Sequence, residues 1–250
     1  MLFLFLIYGL IIGSFLNVVI YRVPAGISIA YPPSTCGKCQ SRIRAKHLVP
    51  VWSYLFLRGR CASCGEKISI RYPLIEGLNG MIYLMAYLKF GSGLEAVLIS
   101  LFSSVMIIIA MIDYDTMDVY FSTLLPGAVL AALIILERAS REIEILPFLL
   151  TGLSAMIFIL LVIFLTKGGM GMGDIWIMGL IGIVLGPVQT VVSFFLTSMV
   201  GGGVAAVLIA GKKKHAKEGI PFGPLLILGF FMALFIGQEL LDLYFSLFDL

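Results

Sequence analysis

Two aspartates at the edges of apolar runs, and two CxxC pairs, are the residues whose types and spacing suit chemistry. Met111-Ile112-Asp113-Tyr114-Asp115 closes one apolar run, and Gly168-Gly169-Met170-Gly171-Met172-Gly173-Asp174 opens another. A carboxylate at a membrane helix end is costly unless it is solvated or used. Two that face one another at ~4–6 Å cannot both ionise cheaply, so the pair holds one proton near neutral pH. That state suits peptide hydrolysis: the ionised partner takes a proton from water while the protonated one polarises the scissile carbonyl. The same acids also fit a proton relay in a proton-coupled transporter. Asp115 and Asp118 read as solvated helix-end residues. The four glycines leave the backbone before Asp174 with little side-chain cover and permit angles closed to other residues. An extended substrate could lie beside the acid there, which makes Gly171 and Gly173 the active-site loop candidates. No strand precedes the glycine string, so it fails as a dinucleotide loop.

All four cysteines fall in one long loop, as Cys36-Gly37-Lys38-Cys39 and Cys61-Ala62-Ser63-Cys64, with 21 residues between the pairs. Two CxxC turns let four sulfurs converge tetrahedrally on one Zn²⁺. A Cys₄ site leaves no open position for substrate, so its role is structural. The alternatives are two disulfides, which need an oxidising compartment, and a redox CxxC, which lacks a βαβ context. Arg42, Arg44, Lys46, Arg58, Arg60, Lys67 and Arg71 crowd the same loop. They read as contacts to anionic lipid headgroups. Nucleic acid is not an expected partner, because aromatic residues do not alternate with the charges as stacking platforms do.

The elements that must position these groups are membrane helices. Of 250 residues, 60% are hydrophobic and 12% charged, and the mean hydropathy is +1.09. A soluble globule cannot hide that much apolar surface, whereas a bilayer solvates it. Apolar runs long enough to cross fall at about 1–21, 74–92, 94–112, 119–136, 146–165, 175–187, 188–210 and 225–243. They are continuously apolar rather than alternating, which favours helices over a barrel. The expected fold is an all-α polytopic membrane protein of about eight spans. A first helix at 1–21 is followed by a small cytoplasmic zinc-binding insert at 22–73, and spans two to eight occupy 74–250. The first run has no preceding Lys or Arg and no small-x-small site after it, so it reads as a retained span rather than a signal peptide. The shortest break is Gly186-Pro187, between spans six and seven.

Fourteen of the seventeen Lys and Arg residues fall in the loops at 22–73, 166–174 and 211–224, on one side of an eight-span arrangement. Lys89, Arg138 and Arg141 hold the other side. The bias places the first side in the cytoplasm. Asp113, Asp115, Asp118 and Asp174 then share the cytoplasmic face. His47 and His215 fall in basic cytoplasmic loops and read as solvated surface.

Gly13-Ser14-Phe15-Leu16-Asn17-Val18-Val19-Ile20-Tyr21-Arg22, the paired CxxC loop, Arg71-Tyr72-Pro73-Leu74-Ile75-Glu76, Ile112-Asp113-Tyr114-Asp115, Gly171-Met172-Gly173-Asp174 and Pro221-Phe222-Gly223-Pro224 follow one another along nearly the whole chain. In this order they resemble the motifs of bacterial type IV prepilin peptidases, GxGD-type aspartyl proteases of the cytoplasmic membrane. The resemblance implies cleavage of the basic leader of type IV prepilins or pseudopilins after a glycine, at the cytoplasmic face. It also implies N-methylation of the new terminus from S-adenosylmethionine. Carried over by position, the catalytic pair is Asp113 and Asp174, and the metal ligands are Cys36, Cys39, Cys61 and Cys64. Two positions depart from the family pattern. Val119-Tyr120-Phe121 stands where Ile-Pro-Asp is usual, and Trp176 stands where a Lys commonly follows the GxGD aspartate by two.

Gly13, Ser14 and Asn17 share one side of the first helix, where small and polar residues imply close packing and an interhelical hydrogen bond. Glu76, just inside span two, suits a buried hydrogen bond. Asn17 and Glu76 are also the candidates for substrate or methyl-donor contact. Pro221-Phe222-Gly223-Pro224 forms a rigid turn at the mouth of span eight.

Overall fold

The computed structural model describes residues 1–210 and 221–248. Residues 211–220 lie outside the described residues, and with them the lysine cluster Lys212, Lys213, Lys214 and Lys217 and the expected surface position of His215. Nine α-helices are described: α1 (Leu2–Arg22), α2 (Trp52–Phe56), α3 (Arg71–Phe90), α4 (Leu94–Thr116), α5 (Phe121–Ser140), α6 (Leu146–Leu165), α7 (Gly173–Leu185), α8 (Pro187–Ala210) and α9 (Gly223–Phe248). No strand occurs among the described residues beyond two isolated bridges.

Every apolar run expected from the sequence carries one helix, with ends shifted by a few residues. Six of them are long and apolar enough to cross a bilayer: α1, α4, α5, α6, α8 and α9. The other two differ for separate reasons. Helix α3 carries Arg71, Glu76 and Lys89 within its 20 residues. Helix α7 has only 13 residues, about 20 Å at 1.5 Å per residue. Arg71-Tyr72-Pro73, the last residues of the insert as bounded at 22–73, form instead the first turn of α3, where a proline loses no helical hydrogen bond. Between α7 and α8, Gly186 takes φ +78°, and Pro187 opens the next helix.

By internal contacts the chain divides into two units, Met1–Ile108 and Ile109–Leu250, with the boundary inside α4. In the first unit α1 and α3 pack antiparallel with their backbones almost touching. A Cβ placed on Gly9 would lie 2.8 Å from the Cα of Gly80, and one on Gly13 would lie 2.8 Å from the Cα of Glu76. Small residues allow that approach where no hydrophobic effect drives helices together. Fully buried Asn79 locks the pair: its amide donates to the Gly9 carbonyl at 2.7 Å and accepts from the Ser104 hydroxyl of α4 at 2.8 Å. Tyr83 shares a hydrogen bond with Ser104 at 3.1 Å.

In the second unit the short α7 is the buried centre. Ile177, Met178, Leu180, Ile181 and Val184 are all buried along it, and α5, α6, α8 and α9 pack against it. Gly182 meets Gly152 of α6 so closely that a Cβ would lie 2.9 Å from the Gly152 Cα. At the far end of α7 the Arg138 guanidinium donates to the Val184 carbonyl at 2.8 Å and lies 4.6 Å over the Phe148 ring. A cation there satisfies one of the last carbonyls of the helix. A helix too short to span alone thus has its far end held by Arg138, and Asp174 stands at its first turn.

Candidate active site and cysteine cluster

Asp113 lies three residues before the end of α4, and Asp174 is the second residue of α7. Both are buried, with 6% and 4% of their surface exposed. A carboxylate at a helix C-terminus meets the unfavourable end of the dipole, so Asp113 needs a compensating donor. It finds one in the Gly223 backbone N–H, the first residue of α9, which donates to Oδ2 at 3.0 Å. Asp174 benefits from the N-terminus of its own helix. Its Oδ2 accepts from the Gly171 backbone N–H at 3.0 Å. Each acid therefore has one backbone donor on one oxygen, Asp174 at the N-terminus of its own helix and Asp113 against the N-terminus of α9. The two carboxylates are also within electrostatic range of each other.

The glycines divide the work. A Cβ on Gly223 would sit 2.7 Å from Oδ2 of Asp113, so only glycine brings its N–H this close to the acid. A Cβ on Gly173 would sit 2.4 Å from Cγ2 of Val119. The loop after α4 thus packs directly on the residue preceding Asp174. Gly168 takes φ +91°, the one positive φ among the four glycines of the string. Gly171 is roomier: a Cβ there meets Oδ2 of Asp174 at an ordinary 3.5 Å. Asp115 and Asp118 are exposed, as expected of solvated helix-end residues.

In the first unit the four cysteine sulfurs lie within 4.8 Å of one another. Cys36 and Cys64 are 3.9 Å apart, and all four thiols are free. Tetrahedral ligation with Zn–S of about 2.3 Å requires sulfurs about 3.8 Å apart, so the donor set fits one metal ion. The two halves repeat each other. Cys36 N–H donates to Ser41 and Cys61 N–H donates to Glu66; Gln40 returns to Cys36 and Gly65 returns to Cys61. Gln40 and Gly65 each follow the second cysteine with positive φ, and the bridges Thr35–Arg42 and Arg60–Lys67 close the two turns. A hydrogen bond with the Ser41 hydroxyl, helped by the Ser41 backbone, lowers the Cys39 thiol to about 6. This favours the thiolate that a metal needs at Cys39; at Cys64 the Glu66 backbone pulls the same way, but desolvation and the three neighbouring thiols outweigh it and push that thiol up to about 11.

Two family models match the chain in sequence. Residues 7–90 match the bacterial peptidase A24 N-terminal domain, and residues 100–207 match the type IV leader peptidase family. The chain is 33% identical to a prepilin leader peptidase/N-methyltransferase of Bacillus subtilis, over 98% of both chains. It is 33% identical to that of Neisseria gonorrhoeae over 88% of this chain and 85% of the relative. A type 4 prepilin-like protein leader peptide-processing enzyme of Escherichia coli is 32% identical over 88% of both. The chain belongs to the type IV leader peptidase family. No solved structure matches it.

Within this leader peptidase the first matched region holds all four cysteines, and the second holds Asp113 and Asp174. The apolar helices and the family together make it a multi-pass membrane protein. Asn17 is buried between α1 and α3, with its amide 3.3 Å from the carbonyls of Gly13 and Tyr72, so it supplies the expected interhelical hydrogen bond. Buried Glu76 accepts from the Val51 backbone N–H of the insert at 2.7 Å. Trp176 is exposed on α7 and points away from the unit's interior. Sequence reasoning missed two contributors. Gly223 acts through its backbone, which leaves no side-chain signature, and the Pro-Phe-Gly-Pro turn was its only signal. Asn79 was legible as a lone amide in the middle of an apolar run, where an idle polar group is expensive.

Proposed function

We infer that this protein is a membrane aspartyl endopeptidase that removes the leader of type IV prepilins or pseudopilins, with Asp113 and Asp174 as its catalytic pair. The supporting observation is the matched seating of the two buried acids, each holding one glycine N–H on Oδ2. The donors are equivalent, so either carboxylate can begin as the base. The ionised member takes a proton from water, the water oxygen adds to the scissile carbonyl, and the protonated member gives its proton to the carbonyl oxygen. Collapse of the tetrahedral adduct returns a proton to the amide nitrogen as the C–N bond breaks. The acids alone left a proton-coupled transporter open, and family membership decides for the peptidase.

The second activity is N-methylation of the new terminus with S-adenosylmethionine, as the names of the relatives indicate for those proteins. Asn17 and Glu76 are the proposed contacts for substrate or methyl donor. Zinc held by Cys36, Cys39, Cys61 and Cys64 is structural, and it joins the two repeated turns of the insert. The excess of Lys and Arg in the loops at 22–73 and 211–224, which an eight-span arrangement puts on the same side as both acids, supports a catalytic face in the cytoplasm. Asp113→Asn and Asp174→Asn should each abolish leader removal in membranes while the protein stays folded. Continued cleavage by either variant rejects the pair. Label from S-adenosylmethionine should pass to cleaved pilin, and its failure to do so leaves a peptidase alone.

A further inference from the structure

The insert carries a surface that neither the catalytic pair nor the cysteine cluster uses. Leu48, Val49, Trp52, Leu55 and Phe56 are all exposed around α2, Trp52 and Leu55 by about three-fifths and Phe56 by 84%. Five large apolar side chains in nine residues form a patch that water does not favour. Arg44, Lys46, Arg58 and Arg60 flank it in sequence, all exposed. The one acidic residue between Arg22 and Pro73 is Glu66, which is already ion-paired with Lys38.

Depth is set by Glu76. Its carboxylate binds the N–H of Val51, the residue immediately before α2, at 2.7 Å. Val51 is held there at φ +61°, a conformation that is costly for a β-branched residue and persists only where its surroundings impose it. Glu76 in turn lies level with Gly13 of α1, whose Cβ would touch the Glu76 Cα. Gly13 is nine residues inside the Arg22 end of α1, about 13.5 Å along the axis at 1.5 Å per residue. Helix α2 therefore lies beside the last turns of a membrane span rather than beyond them.

We propose that α2 and Leu48–Val49 form an interfacial anchor that buries its apolar face at the headgroup–acyl boundary of an anionic leaflet, with Arg44, Lys46, Arg58 and Arg60 on lipid phosphates. Aromatic residues favour that depth, basic rims favour anionic lipid, and an amphipathic segment lies in the plane of the interface. The anchor fixes the cysteine cluster at the bilayer surface. It adds to the hold that Glu76 of α3 already has on the insert through Val51.

The chain has two tryptophans, Trp52 and Trp176, so Trp176→Phe isolates the one in α2. The full-length protein is placed in nanodiscs of phosphatidylglycerol carrying a shallow spin-labelled lipid. Expected are a blue-shifted Trp52 emission, loss of most of it to the lipid quencher and little loss to aqueous iodide. In phosphatidylcholine discs the loss to the lipid quencher should fall to less than half. Red emission quenched by iodide overturns the anchor. Equal quenching in the two lipids overturns the commitment to anionic lipid. Shielding of Trp52 that appears only on adding a prepilin overturns the lipid in favour of a protein occupant. If Trp176→Phe misfolds, the difference spectrum between the native protein and Trp52→Phe gives the same readout.

Discussion

Replacing Gly223 with alanine puts a methyl carbon 2.7 Å from Oδ2 of Asp113 and 3.1 Å from its Cγ. The backbone of Gly223 does not have a positive φ, so the substitution strains the site rather than the chain. Asp113 must withdraw by roughly 0.7 Å to reach an ordinary contact. The Gly223 N–H bond of 3.0 Å then stretches to about 3.7 Å, beyond hydrogen-bonding range. A hydrogen bond to a charged group contributes about 1.5–3 kcal/mol, which is roughly 10- to 150-fold in rate. The expected result is a fall in kcat of that size for leader cleavage in detergent or proteoliposomes, with KM and thermal midpoint close to wild type. Gly171→Ala is the internal comparison, since its Cβ would meet Asp174 Oδ2 at 3.5 Å and kcat should change only a few-fold. Gly202→Ala, where nothing lies within 4 Å, should be silent. Gly223→Ala with kcat within twofold of wild type refutes the role given to that N–H. A matching loss in Gly171→Ala shows that the loop is sensitive to any methyl group and refutes the ranking.

Gly173→Ala places its Cβ 2.4 Å from Cγ2 and 2.6 Å from Cβ of Val119 and should destabilise by about 1–3 kcal/mol; Val119→Gly in the same chain, which removes both atoms, should recover part of the thermal midpoint and of cleavage. Purified protein should carry about one zinc per chain, measured by elemental analysis, and Cys36→Ser/Cys39→Ser should lose it. Asn79→Leu removes the amide that joins Gly9 and Ser104 and should cost about 0.6–2 kcal/mol, read from unfolding in mixed micelles, with cleavage by the folded fraction retained.

What the sequence disclosed follows the kind of signal each element leaves. Apolar runs are long-range and additive, so each of the eight apolar helices was found, whereas the five-residue α2 inside the insert was not; even the Gly186-Pro187 break was placed because both residues punctuate a helix by fixed backbone rules. Their ends moved because capping is local. Helix α3 begins with the residues that seemed to close the insert, and α9 starts at Gly223, inside the expected turn. Cysteine spacing specified the metal cluster, since two CxxC turns have few other ways to satisfy four thiols. It did not reveal that the two turns repeat each other hydrogen bond for hydrogen bond, because those bonds are backbone bonds with little dependence on side-chain identity.

The candidate active site divides along the same line. Asp113 and Asp174 were legible because an acid in an apolar context is costly and rare. Their partners were not, because both donors are main-chain N–H groups of glycine. A main-chain donor has a physical advantage here: it is held by the backbone at or just before a helix start, so orienting it costs no side-chain entropy, and it brings no charge that would itself need a partner. Glycine then matters for what it lacks. At Gly223 the missing methyl admits the Asp113 carboxylate, and at Gly173 it admits Val119. The same contact explains how Val119 can stand in a position where the family pattern usually has another residue. Val119 fills the hollow over Gly173 with a branched aliphatic side chain, of the same kind as the isoleucine usual there, and adds no charge beside the acids.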